Sequence, residues 1–168
     1  MVLYMPRSPK FDIVSLRVSP ITIDNTALVS TAWNVAFFAR NPNKRLTVKY
    51  NYVQVSLYYN WINVSSKRIG VFSQPPEHGN FVHATTSVQP NRVSMLDLDS
   101  VVDNVHDFAL NFDVKLRGSV MVYVSSTMGI NHGLSIDCEN VEVRFSPQNG
   151  TGLMLGKSKR CHNNKFIF

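Results

Sequence analysis

No stretch of roughly 18 or more apolar residues occurs anywhere in this 168-residue chain. A helix needs about 20 such residues to cross a bilayer core, so nothing here spans a membrane as a helix. The opening Met1-Val2-Leu3-Tyr4-Met5-Pro6-Arg7 is too short and too soon broken by proline to serve as a secretory leader. The expectation is a soluble protein or a chain that lacks an upstream anchor. Catalytic signatures are missing too. There is no Gly-x-Ser-x-Gly, no His-Glu-x-x-His and no Cys-x-x-Cys. The eight glycines are scattered, so no backbone loop is available to cradle a phosphate. Charge is scarce, at 17% against 44% hydrophobic, which excludes a hydrophilic disordered chain. Glu and Ala are sparse, which disfavours helices.

What is present points to strands. Phe, Val, Tyr, Ser and Asn are prominent, and strand-rich chains of this length form sandwiches or barrels. The length suits one domain with a sizeable core.

The net charge is +6, from 17 basic and 11 acidic residues. The basic residues are dispersed, and the tightest groups are Lys44-Arg45, Lys67-Arg68 and Lys157-Ser158-Lys159-Arg160. A nucleic-acid binder gathers such residues into a stripe interleaved with aromatics, so no nucleic-acid partner is expected. Solvated surface is the expectation, with weak attraction to an acidic membrane surface or cell-wall polyanion left open.

Period-2 alternation marks the strands. Phe11 to Val18 is the first, and Pro20 stops it. Ala32 to Arg40 puts Trp33, Val35, Phe37 and Ala39 on one face, and Asn41-Pro42-Asn43 ends it. Val48 to Tyr59 changes phase once, implying a bulge near Tyr52-Val53, because an uncorrected slip would turn the apolar set to solvent. Ile62 to Val64 and Ile69 to Phe72 read as short edge strands, followed by a loop at 74–80. Phe81 to Val88 is another strand. Ser94-x-x-Asp97 before apolar residues resembles a capping box, predicting one short helix near 94–105.

Phe108 to Arg117 alternates cleanly, with Gly118 as a turn or bend and Val120 to Val124 as a paired strand. Asn131-His132-Gly133 reads as a turn. Leu134 to Phe145 changes parity, implying a second bulge near Glu139-Asn140. The predicted fold is all-β: a seven- to eight-stranded antiparallel β-sandwich of fibronectin type III or immunoglobulin-like kind. Residues 1–10 form an extended lead-in, 11–146 the domain and 147–168 a C-terminal tail.

Candidate functional residues are few. Cys138 and Cys161 lie 23 positions apart. A disulfide there would tie the tail to the last strand for about 3 kcal/mol, and two free thiols are the alternative. Asn63 and Asn149 open Asn-x-Ser/Thr sequons, candidates for glycosylation on a secretory route. Asp97, Asp99, Asp103 and Asp107 are the one carboxylate cluster that would suit calcium, but their spacing does not match an EF-hand loop. A solvated helix face explains them better, so no metal site is assigned. His78, His83, His106, His132 and His162 are well separated and expected on the surface or in turns. Tyr50, Tyr52, Tyr58, Tyr59 and Trp61 could line a sugar- or peptide-binding surface, with Tyr58 and Trp61 the most exposed. Core and edge packing is the competing explanation. No catalytic residue and no cofactor is expected.

Several segments together resemble a known family. These are Pro6-Arg7-Ser8-Pro9-Lys10-Phe11-Asp12-Ile13, Ala39-Arg40-Asn41-Pro42-Asn43, and Val48-Lys49-Tyr50-Asn51 with Val55-x-Leu57-Tyr58-Tyr59. Phe72-Ser73-Gln74-Pro75, Cys138-Glu139-Asn140-Val141-x-Val143 and Cys161 complete the set. Their order and spacing resemble the plant late-embryogenesis-abundant type 2 group, particularly the harpin-induced, non-race-specific-resistance-like membrane proteins. The resemblance implies a fibronectin-like sandwich with a short helix and an upstream transmembrane anchor, which is missing here. It further implies residence at the plasma membrane or plasmodesmata, and roles in pathogen or stress response.

The expected function is a non-enzymatic plant stress- or defence-response module on the extracytoplasmic side of the membrane. It would contact a protein or cell-wall component through the 73–80 loop, the 60–68 region or the 146–160 tail. The alternatives are a soluble intracellular (cytoplasmic) stress protector with reduced thiols, and a calcium-dependent binding domain using the aspartate cluster.

Overall fold

The computed structural model describes residues 5–19, 22–23, 28–86, 89–92, 108–146 and 150–164. Every regular element among them is a strand, and every pairing is antiparallel. The helix expected near 94–105 lies outside the described residues.

The strands are β1 (Lys10–Val18), β2 (Thr22–Ile23), β3 (Leu28–Thr31), β4 (Trp33–Arg40), β5 (Thr47–Tyr59), β6 (Ile62–Ile69) and β7 (Phe72–Gln74). They continue with β8 (Gly79–Thr85), β9 (Gln89–Arg92), β10 (Phe108–Tyr123), β11 (Gly129–Phe145), β12 (Gly152–Met154), β13 (Lys159–Arg160) and β14 (His162–Asn163). The main sheet runs β6-β5-β10-β11-β12-β1-β4-β8, with β7 beside β5, β13 beside β1 and β14 beside β11. A small separate sheet has the order β2-β3-β9.

The expected two-layer sandwich is corrected here, because one continuous sheet wraps almost into a barrel. Its two end strands, β6 and β8, come to lie against each other. Side chains bridge the seam near one end, where the Trp33 indole Nε1 donates to Ser65 Oγ at 2.7 Å. At the other end, Gln74 Nε2 donates to the Ala39 carbonyl and to Asn80 Oδ1, each at 2.9 Å. Wrapping a sheet onto itself protects edge donors and acceptors that an open sheet leaves exposed.

The wrap needs strands that bend, and bulges supply the bend by raising local twist. Asn51 is the extra residue in β5 opposite Ser119 and Val120. The apolar set accordingly changes phase: Tyr50 and Val53 are buried and Tyr52 points out. In β11 the extra residue falls at Glu139-Asn140, as the parity change predicts. Asn140 takes a positive φ of 54°, and its N–H donates to Asp113 Oδ1 at 2.9 Å. A third irregularity, at Val14 in β1, has no counterpart in the expectation.

Some boundaries differ from those expected. β6 is one strand through Ile69 and not two short pieces. β10 runs straight through Gly118, which is neither turn nor bend. Its missing side chain has another use: a Cβ there would lie 1.8 Å from the Tyr52 carbonyl oxygen, so the bulged β5 backbone can approach only a glycine. Asn131-His132-Gly133 lies within β11, and the turn falls at 124–128, closed by Val124 N–H to Met128 O at 3.1 Å. The tail expected at 147–168 is part of the wrap, since β12 pairs with both β1 and β11.

The interior is one apolar cluster. Phe11, Ile13, Leu16, Trp33, Phe37, Leu57, Leu116, Ile136 and Phe145 are almost completely buried. Phe11 meets the edges of Phe37 and Tyr50, each with centroids 6.1 Å apart.

Candidate functional site

At one end of the wrap, strands β4, β5 and β7 deliver polar side chains into the interior. Asn41 is buried where β4 ends. Its Nδ2 donates to the carbonyls of Leu46, Gln74 and Pro75 at 2.8, 3.1 and 3.1 Å. Its Oδ1 accepts from the N–H and Nδ2 of Asn43 at 3.0 and 2.8 Å. Pro42 between them cannot donate, so the turn places no orphan N–H in the interior.

Asn43 faces the lead-in. It accepts the Arg7 N–H at 2.7 Å and donates to the Arg7 carbonyl at 3.0 Å. Gln74 completes the network by accepting the Tyr50 hydroxyl at 2.8 Å. Burial holds the Tyr50 pKa well above its usual value of 10.0. Nearly all this hydrogen-bonding capacity is spent inward, so the network fastens the chain and offers no group to a substrate.

Outside that network the same end is basic. A cavity of about 510 Å³ is bordered by Arg7, Lys10, Arg40, Lys44 and Arg160. Asp12 and Glu77 are its carboxylates, and Asp12 is already paired with Arg160. Sequence reasoning missed this gathering. Lys10 and Arg40 sit opposite each other across β1 and β4, and Arg160 sits opposite Asp12. Only the register brings them together, although Lys44-Arg45 and Lys157 to Arg160 are visible as dense groups in the sequence.

The late embryogenesis abundant protein model of type 2, LEA_2, matches residues 37–140, more than half of the chain. The chain belongs to this late embryogenesis abundant family. No curated protein matches it. The match covers the Asn41-Pro42-Asn43 turn, Tyr50 and Gln74, so three of the segments that carry the resemblance meet in one buried network. β1 and β12 to β14 lie outside the matched span of this LEA domain, yet they complete its wrap.

The remaining candidate residues scatter over the LEA domain. Cys138 and Cys161 are both buried and joined as a disulfide, with Cα atoms 4.4 Å apart. Asn63 is exposed on β6, and its Nδ2 donates to Ser66 Oγ at 3.3 Å. Asn149, His106 and Asp97, Asp99, Asp103 and Asp107 lie outside the described residues. Among the described residues no three His, Cys, Asp or Glu side chains gather as metal ligands would.

His78 sits in a turn, with Nδ1 3.0 Å from the Pro76 carbonyl. His83 and His162 are exposed, but His132 is buried inside β11, contrary to the surface position expected. The aromatic set does not form one surface. Tyr50 is core, Tyr59 packs on Phe112, and Tyr52 and Tyr58 lie under Arg68 and Lys115 at 4.4 and 4.9 Å. Trp61 alone stands out, 85% exposed at the tip of the β5–β6 hairpin.

Proposed function

We propose that this LEA type 2 domain is a non-enzymatic plant stress- and defence-response module. It works on the extracytoplasmic side of the plasma membrane or plasmodesmata, as in the harpin-induced, non-race-specific-resistance-like branch of the family. The observation that carries this assignment is the buried Cys138–Cys161 disulfide. Cytosolic thiols are kept reduced, and structural disulfides persist in oxidising compartments. The exposed Asn63, in the sequon Asn63-Val64-Ser65, supports the same route. Its partner is a protein or cell-wall component, and Trp61 is the first residue we assign to that contact, because a large exposed aromatic on a fixed hairpin is a typical interface anchor.

The test is a thiol and glycan census on protein recovered from its native tissue. Alkylation before reduction is expected to label neither cysteine. Glycosidase treatment is expected to reduce the mass, and Asn63→Gln to remove that reduction at its site. Two labelled thiols and no glycan would place the chain with the intracellular stress protectors.

A further inference from the structure

The basic end of the wrap carries more than charge. Three adjoining concavities open there. The cavity of about 510 Å³ shares Arg7 and Lys44 with a second of about 370 Å³, which adds Met5 and Arg45. Arg45 also borders a third, of about 500 Å³, together with Lys49 and Val124. Lys10, Arg40, Lys44 and Arg160 are all exposed, Arg160 while paired with Asp12.

Projecting beside these cations are exposed apolar side chains. Met5 is 75% exposed, Met128 61% and Val124 47%. Val124 and Met128 flank the turn between β10 and β11, and Met5 precedes β1. A monomeric domain gains no stability by holding apolar tips in water.

We propose that this end is a docking face for an anionic phospholipid bilayer. Arg7, Lys10, Arg40, Lys44 and Arg160 meet the headgroup phosphates, and Met5, Val124 and Met128 enter the interfacial layer. Two features select this occupant. The cations outnumber the carboxylates Asp12 and Glu77, which complements a negative surface. The apolar tips need a layer that accepts hydrocarbon, and a hydrated polysaccharide polyanion has none. A single-stranded nucleic acid would call for exposed stacking aromatics, and the tips are Met and Val. Anionic phospholipid is concentrated in the cytoplasmic leaflet, so this inference does not rest on the extracytoplasmic placement, and the thiol census and the experiment below fail separately.

The experiment is co-sedimentation of the full chain with phosphatidylcholine vesicles, with and without phosphatidylserine, at low and high salt. Binding is expected only with phosphatidylserine, and to weaken with salt. Lys10→Gln with Arg40→Gln and Lys44→Gln is expected to lower the partition coefficient at least about tenfold. A control of equal net charge, Arg17→Gln with Lys67→Gln and Arg144→Gln, is expected to lower it less than about threefold. Met5→Ser with Val124→Ser and Met128→Ser should lower it several-fold while leaving adsorption to polygalacturonate unchanged.

Equal binding to both vesicle types, or none, overturns the proposal. So does an equal loss in the control, or a set of face variants that affects polygalacturonate and not vesicles. Far-ultraviolet circular dichroism of each variant checks that it is folded.

Discussion

Gln74 is the residue on which the closed end depends most directly. It accepts from Tyr50 and donates across the seam to Ala39 and Asn80. Gln74→Met keeps the volume and removes every one of these bonds, leaving a buried hydroxyl and a carbonyl without their partner. The expected cost is about 3 kcal/mol, seen as a lower urea midpoint at unchanged slope. A loss below about 0.5 kcal/mol would mean that water replaces the amide freely. Tyr50 adds a pH signature. Its pKa is raised by burial, so the folded state keeps the proton that the unfolded chain releases above pH 10.0. Its contribution is therefore complete below pH 10.0 and declines as pH rises beyond it, by up to about 1.4 kcal/mol per unit. Urea titrations on either side of that pH should show a steeper decline in the native chain than in Tyr50→Phe. The sequence displayed Asn41, Asn43, Tyr50 and Gln74 as pieces of a resemblance. That they meet was hidden, because polar residues at strand ends read as turns whether they face water or the interior.

Elements were legible where alternation was strict and misread where glycine intervened. The phase changes in β5 and β11 declared their bulges, since a buried face tolerates no slip. Gly118 is the opposite case. The composition that marks a turn also permits close approach of two backbones, and only the neighbour across the sheet distinguishes them. Gly118→Ala would place its methyl against the Tyr52 carbonyl, and the two strands would have to separate. An expected loss of about 3 kcal/mol in a urea melt, with protection of β5 amides falling most in hydrogen exchange, checks this.

The hairpin between β5 and β6 carries a different cost. Asn60 and Trp61 both adopt positive φ, 50° and 68°. Such a turn favours glycine at its second position, and a bulky side chain there is strained. Trp61→Gly should therefore raise stability by about 1 kcal/mol, read as an increase in Tm. A decrease would show that the indole packs on the domain and does not wait for a partner. A stabilised variant that loses its tissue partner would tie the strain to function.

At the scale of the whole molecule, the last segment decides the architecture. Alternation predicted how many faces were apolar, but it carries no record of which strands are neighbours. That order is set by contacts distant in sequence, and a pairing as short as β12 leaves almost no periodic signal. β12 lies between β1 and β11, and the Cys138–Cys161 bond holds the following segment against β11. Strand and crosslink are separable by mutation. Cys138→Ala with Cys161→Ala removes only the bond, and should cost about 3 kcal/mol while leaving a single sharp transition. Ending the chain at Ser146 removes β12 to β14 as well, leaving β1 and β11 with unpaired edges and the interior open between them. That truncated chain is expected to melt broadly and to self-associate through those edges. Calorimetry and light scattering on the two variants side by side test the distinction. A truncated chain that stays monomeric and melts as sharply as the double alanine variant would mean that β1 and β11 close directly, and that β12 is an ornament on a smaller barrel.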